Sequence, residues 1–274
     1  MTNISGVILT FNSEETIRHT LETASRVCSK IFVVDSFSSD RTMEIVSSFE
    51  AVTVVQRPFS DYASQRNWAI ENLPVDTWQL HLDADEFLSN DLIQEIQRRF
   101  VDGKKIEVDG FYIPRLVRFM GRDIRHGGMY PIFHMRLFRT GKCIVERKKY
   151  DQHFVIAGKA EFIRAPMVDD IRLSVSEWTR RHDKWADFEI EDYVSGVNKK
   201  NNEDVYNVVR SKKMKGLYYS LPIFYRAFAI FFYRYIFRAG FLDGREGLIF
   251  FVLQTFWFRF YVDAKLYERH IAAN

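Results

Sequence analysis

Three carboxylates fall within four residues at Asp83-Ala84-Asp85-Glu86, directly after the apolar run from Trp78 to Leu82. Alternate residues of an extended chain face the same side, so Asp83 and Asp85 can both meet one ligand. A divalent ion held by carboxylates can bridge two phosphates and stabilise a departing diphosphate. An Asp-x-Asp at a strand end can equally be a solvated turn, so the surrounding elements decide between the two. Three other positions could share the site. Asp35, after Phe32-Val33-Val34, can cap a turn with Ser36 or accept a hydrogen bond from a base or ribose. Thr10 ends the first apolar run, and Arg66 can fork onto a phosphate or form a surface ion pair.

The elements that must position these residues alternate in period. Ile4 to Thr10 reads as a strand, followed by a capping-box pattern at Asn12 and Glu15 and a helix bearing Ile17, Leu21 and Ala24. Ile31 to Val34 is a second strand, and Asp40 can cap a helix bearing Ile45, Val46 and Phe49. A third strand spans Ala51 to Val55, a helix about 60 to 72, and a fourth strand Trp78 to Leu82. Ser89 or Asn90 then caps a helix carrying Leu92, Ile93 and Ile96. Such alternation implies right-handed crossovers and a mostly parallel sheet, with ligands beyond the carboxyl ends of the strands. Thr10-Phe11-Asn12, Asp35-Ser36 and Asp83-Ala84-Asp85 all fall on that edge, which favours the metal and diphosphate reading of the acidic cluster.

After residue 109 the pattern changes to strands at Phe111–Arg118, Phe133–Phe138 and Phe154–Ala157, with Gly127-Gly128 marking a loop. A helix is expected over 174–193 and a polar linker over 194–215. The expected division is a catalytic domain over 1–170, with a nucleotide-binding half at about 1–100 and an acceptor half at about 101–170. A helical extension over 171–274 follows.

Composition excludes several classes. Hydrophobic residues at 47% and charged residues at 27% are those of a globular chain, and a net charge of +3 gives no reason to expect nucleic acid. Cys28 and Cys143 lack metal-ligand spacing and suit a reducing compartment. The N-terminus lacks the basic and long apolar regions of a signal peptide, so a cytoplasmic protein is expected. No G-x-G-x-x-G follows the first strand, where Asn12-Ser13-Glu14-Glu15 is acidic instead, and no P-loop, H-E-x-x-H or G-x-S-x-G is present. A nucleotidyltransferase would want a Gly-rich basic loop there. A catalytically silent peripheral membrane adaptor of the same fold is the non-enzymatic alternative.

Thr10-Phe11-Asn12-Ser13-Glu14, Val34-Asp35-Ser36 through Thr42, Gln65-Arg66-Asn67 and Leu82-Asp83-Ala84-Asp85-Glu86 together resemble family 2 of the inverting glycosyltransferases. Ser176 to His182 and Gly240 to Gly247 extend the resemblance toward the lipopolysaccharide-core β-1,4-glucosyltransferase-like subgroup. The resemblance implies a GT-A type, mostly parallel sheet flanked by helices, with an aromatic-rich C-terminal helical extension. It implies a nucleotide-diphosphate sugar donor, UDP-sugar favoured, and a lipid-linked or membrane-proximal glycan acceptor of lipopolysaccharide or capsule type. Thr10, Phe11, Glu14, Asp35, Arg66, Asp83 and Ala84 would line the donor, and Asp85 would hold Mg²⁺ or Mn²⁺. Inversion also needs a base for the acceptor hydroxyl. The resemblance places a carboxylate in the stretch Lys149 to Phe154, which makes Asp151 the first candidate, Glu146 the second and the pair Asp169-Asp170 the third.

The C-terminal third is aromatic. Leu217 to Phe241 approaches transmembrane length but contains Arg226, Arg234 and Arg238, which share roughly a 120° sector of a helix. Charges at the centre of a spanning helix cost about 2.5–3.5 kcal/mol each. A helix lying at the interface instead points them at anionic headgroups. Leu248 to Tyr267 repeats the composition, and Gly240 and Gly244 can form the turn between the helices, with Asp243 as a cap. The expectation is peripheral attachment to the inner face of the cell membrane. The alternative is that these helices pack internally or form a homodimer core.

Overall fold

The computed structural model describes residues 3–101, 105–147, 152–194, 218 and 220–272. Their described residues form two compact units, one from 1–116, 132–147 and 152–172, the other from 117–131 and 173–274.

The first unit opens with the expected alternation. Strands β1 (Ile4–Thr10), β2 (Lys30–Asp35), β3 (Val52–Gln56) and β4 (Trp78–Asp83) are separated by helices α1 (Ile17–Ala24), α2 (Thr42–Ser47) and α3 (Tyr62–Asn72). They pair in parallel in the order β3-β2-β1-β4. Strand β1 is buried along its whole length, as a central parallel strand covered on both faces should be. Ile17 and Leu21 of α1 and Ile45 of α2 pack with Ile4, Ile8 and Leu82 on one face, and Ala69 of α3 packs with Val7, Leu9 and Val34 on the other.

A short strand β5 (Glu86–Leu88) leads into α4 (Asn90–Arg99), whose cap is Ser89, accepting from the Leu92 N–H at 3.2 Å. From here the sheet is mixed. β6 (Gly110–Phe119) and β8 (Ile132–Arg139) are antiparallel neighbours, and β8 runs antiparallel to β4. β12 (Met167–Ile171) closes the sheet against β5, giving the order β3-β2-β1-β4-β8-β6-β12-β5. The hairpin strand β7 (Arg122–Ile124) and strand β11 (Ala160–Phe162) pair with β6. β9 (Cys143–Val145) and β10 (Phe154–Ile156) form a separate ribbon. The α/β sheet flanked by helices, with an aromatic C-terminal helical region, is therefore observed.

Two caps differ from expectation. Thr16, not Asn12, precedes α1, and it makes no side-chain cap bond. Asn12 instead takes a positive φ of 48°, and its Oδ1 accepts from the Ser39 N–H at 2.8 Å. A short amide tolerates that left-handed turn and ties the loop after β1 to the loop after β2. Asp243 likewise sends no cap bond into the helix Gly244–Phe251. Its carboxylate takes the His126 N–H at 2.9 Å and the His126 Nδ1 at 2.6 Å.

In the second unit α5 (Val175–Val194) packs Ala186 and Ile190 against Phe258 and Val262 of the helix Phe258–Ala272. The intervening helices Tyr225–Phe232 and Gly244–Phe251 each run into a π-helical stretch, at Tyr233–Phe237 and Val252–Trp257. The hairpin after Val117 belongs to this unit: Phe119 meets Phe250 edge-on at 5.6 Å, and the Gly127 N–H donates to the Arg238 carbonyl at 2.9 Å. Gly127 has a φ of 64°, and any Cβ there would overlap the Phe251 ring.

Candidate active site

Register brings the polar strand ends together. Thr10 pairs with Asp35 across β1 and β2, and Leu9 pairs with Asp83 across β1 and β4. The carboxyl ends of three parallel strands therefore form one edge, and Asp83 lies where the sheet changes from parallel to antiparallel.

Asp83 is held by arginines from two directions. Arg66, on α3, donates to its Oδ1 at 2.6 Å, and Arg136, on β8, donates to its Oδ2 at 3.2 Å. Arg136 also donates to Glu86 Oε1 at 2.6 Å, and Glu86 Oε2 accepts the Asp83 N–H at 3.0 Å. Both guanidiniums lie 5.6 Å from the centre of the Phe154 ring. Arg66, Arg136 and Glu86 are buried, so each charge needs its partners. Burial pushes the Glu86 carboxyl above its ordinary range while Arg136 pulls it back. Burial lowers the Arg66 guanidinium, and Asp83 opposes that shift. Of the two partners the sequence offers Arg66, a phosphate or an ion pair, the structure holds an ion pair with a carboxylate of the acidic cluster.

Asp35, for which the sequence offers a turn cap or a nucleoside contact, is fully buried. Its oxygens accept from the Ser38 N–H, from Ser38 Oγ at 2.5 Å and from Gln56 Nε2 at 3.2 Å. It shapes the loop after β2 from beneath. Phe11 is exposed at the same edge, and the Thr10 hydroxyl is buried without a hydrogen-bond partner among the described residues. Glu14 accepts the Arg41 N–H at 3.1 Å. Ala84 is buried, and its carbonyl takes the Thr20 hydroxyl at 2.9 Å.

Asp85 is half-buried, with its carbonyl accepting the Asp170 N–H at 2.9 Å. Among the described residues no group of three His, Cys, Asp or Glu side chains forms a metal cage. Asp83 and Glu86 are both engaged by Arg136, and Asp83 also by Arg66. One carboxylate completed by phosphate oxygens is an ordinary Mg²⁺ donor set, and the residues present fit it.

Of the base candidates, Asp151 lies outside the described residues. Glu146 Oε2 is 3.2 Å from His153 Nδ1. Asp169 pairs with Arg115 at 3.6 Å, and Asp170 accepts from Arg172 Nε at 2.8 Å.

Neither Arg136 nor His81 is among the residues singled out from the sequence. A signal for both is present. Gln79, His81 and Asp83 alternate along β4, and His134 and Arg136 along β8, so polar residues recur at period two inside apolar strands.

The three C-terminal arginines part company. Arg226 is buried and donates through Nε to both oxygens of the fully buried Asp263, at 2.8 and 3.0 Å. It cannot point at a headgroup, which corrects the expectation for this residue. The partner is an aspartate in the next aromatic stretch, invisible to a single-helix projection. Arg234 Nη1 lies against Met129 Sδ at 2.6 Å, and burial brings its guanidinium down to about 10. Arg238 is exposed, beside exposed Phe232, Phe237 and Phe241. Among the described residues no helix is long and apolar enough to cross a membrane.

Residues 5–165 match the family model described as glycosyl transferase family 2. Over 121 residues the chain is 31% identical to an uncharacterized glycosyltransferase of Rickettsia typhi, covering 44% of this chain and 41% of that protein. It is 23% identical over 276 residues to the lipopolysaccharide core biosynthesis glycosyltransferase LpsC of Rhizobium meliloti, covering 97% of this chain and 93% of LpsC. Among solved structures, S. aureus TarS aligns with a TM-score of 0.44 at 15% identity, over 67% of this chain and 39% of TarS. The matched region thus spans less than half the length of the Rickettsia relative and of TarS.

Proposed function

The chain belongs to glycosyl transferase family 2, and from that premise we propose that it moves a sugar from a nucleoside-diphosphate sugar, UDP-sugar favoured, to a lipid-linked or lipopolysaccharide-type glycan, with inversion at the anomeric carbon. The observation that carries this reading is the box Arg66–Asp83–Arg136–Glu86 at the end of β4, beside Asp85. Two guanidiniums neutralise two carboxylates there. The site keeps a fixed polar wall without accumulating negative charge against a diphosphate.

In this reading Phe11 offers its exposed ring to the base, and Asp35 holds the loop after β2 in shape beneath the nucleoside. Asp83 faces the sugar side of the donor. Asp85 would hold Mg²⁺ or Mn²⁺, which when bound offsets the charge of the departing diphosphate. The acceptor hydroxyl attacks the anomeric carbon from the face opposite the diphosphate and gives its proton to a carboxylate base. Asp151 is proposed for that base, with Glu146 second and Asp169-Asp170 third. Asp169 and Asp170 stand lower because each already faces an arginine.

The acceptor class is supported by the likeness to LpsC along nearly the whole chain. Attachment to the inner face of the membrane is supported by Arg238 and the exposed aromatics around it. The decisive experiment is a thermal-shift and nucleoside-diphosphate-release panel of nucleotide sugars with Mg²⁺ or Mn²⁺. A ligand bound by the folded state raises Tm. A panel in which none raises Tm and none is consumed overturns the reading.

A further inference from the structure

Gln79, His81 and Asp83 alternate along β4, and His81 and Asp83 both meet Arg66 of α3. The His81 imidazole is fully buried and stacked on Phe138 at 5.0 Å. Its Nε2 lies 2.9 Å from Gln79 Oε1, and its Nδ1 lies 3.4 Å from Arg66 Nη1. Gln79 Nε2 in turn donates to Thr140 Oγ1 at 3.2 Å, and that hydroxyl donates to the Asp76 carbonyl at 2.5 Å.

The donors and acceptors along this row fix one another. Arg66 has only N–H groups to offer, so Nδ1 must accept. Gln79 has turned its amide nitrogen to Thr140, so its oxygen faces Nε2, which must carry the hydrogen. An imidazolium would place a second donor against Arg66 and leave it without an acceptor. Burial, Arg66 and Arg136 all push the ring well below its ordinary range, in agreement with that tautomer.

We infer that His81 is a positioning residue, a neutral acceptor that fixes the plane of the Arg66 guanidinium so that its other edge stays aimed at Asp83. This rests on the donor-site reading of Asp83 given above. The row Asp76–Thr140–Gln79–His81–Arg66 anchors the cation from behind. Arg66 therefore keeps its place when Asp83 engages a ligand, with no reorganisation of a flexible side chain at that moment.

Two measurements on the full chain test it. Ring ¹⁵N–¹H correlation spectra should show His81 as the Nε2–H tautomer, unchanged between about pH 5.5 and 8.5. An Nδ1–H tautomer or an imidazolium overturns the inference, whatever the enzyme turns over. In nucleotide-sugar turnover, His81→Phe fills the volume without an acceptor, whereas His81→Asn keeps an oxygen near the place of Nδ1. For the Phe variant, kcat is expected to fall about 10-fold or more with the donor KM changed less than about 3-fold, and the Asn variant should stay within about 3-fold of the parent. Near-UV circular dichroism establishes that both are folded. A folded Phe variant with the parent kcat, or equal losses in both variants, overturns the inference. If the parent consumes no nucleotide sugar, the donor reading fails, and the tautomer alone decides the role of His81.

Discussion

Arg66 and Asp83 form a 2.6 Å ion pair in which the cation is the deeper partner, its side chain 5% exposed against 38% for the carboxylate. The carboxylate can meet a ligand, whereas the guanidinium cannot leave. Asp83→Ala would strand a buried cation beside Arg136 and is expected to cost about 1–3 kcal/mol, together with nucleotide-sugar turnover. Arg66→Lys should restore little, because an ammonium cannot serve Asp83 and His81 with one planar fork. Urea denaturation and turnover on the same samples check both.

Asp85 carries the metal assignment. Asp85→Asn is expected to lower turnover in Mg²⁺ or Mn²⁺ by on the order of 100-fold, about 2.7 kcal/mol and part of what a bound cation supplies at a leaving diphosphate. Activity at the parent level in a metal titration would remove Asp85 from that role.

The C-terminal arginines should separate by assay. Asp263→Ala removes the buried carboxylate to which Arg226 donates and is expected to cost about 3–5 kcal/mol in denaturation. Arg238→Gln should leave stability nearly unchanged but weaken flotation with anionic vesicles by about 5-fold, since each arginine near such a surface contributes about 1 kcal/mol. Unchanged flotation would count against attachment through this face.

His182 supplies a pH dependence. Its ring stacks on Trp178 at 3.4 Å, with Nδ1 2.8 Å from the Trp178 carbonyl and Nε2 3.1 Å from Gln254 Oε1. Burial takes its pKa down to about 4, although both neighbouring oxygens favour the protonated ring. A depressed folded pKa means that the unfolded chain takes the proton first as pH falls. The contribution is therefore full above about pH 6.5 and is lost as pH falls toward about 4, on the order of 3 kcal/mol in all. Urea midpoints at neutral pH and near pH 4.5 should diverge in the parent and much less in His182→Phe. Equal divergence in both would show that another group governs the slope.

The parallel half of the sheet is legible in the sequence because its strands are apolar runs bounded by polar turns, as in Ile4–Thr10 and Lys30–Asp35. Strands β5, β7, β9 and β11 have three residues each, too few to display a period. β12 hides behind Asp169 and Asp170, whose charges look like a turn. At the site, the acidic cluster and Arg66 can be found from spacing. Their pairing cannot, because Arg66 and Arg136 reach Asp83 from elements 17 and 53 positions away. Asp35 shows the converse. A strand-end carboxylate looks available until the serine three residues on turns back to bind it.

The hairpin 117–131 also bears on how such a protein can be divided or recombined. Phe119 packs on Phe250, His126 binds Asp243, and Gly127 bonds the Arg238 carbonyl, all within the second unit. Cleavage after Arg172 would therefore yield two incomplete peptides. One would keep the hairpin without the surface it covers, and the other would keep that surface bare. An exchange of the C-terminal third between related chains must carry residues 117–131 with it, and a crossover at the apparent boundary near 170 would break a folded body.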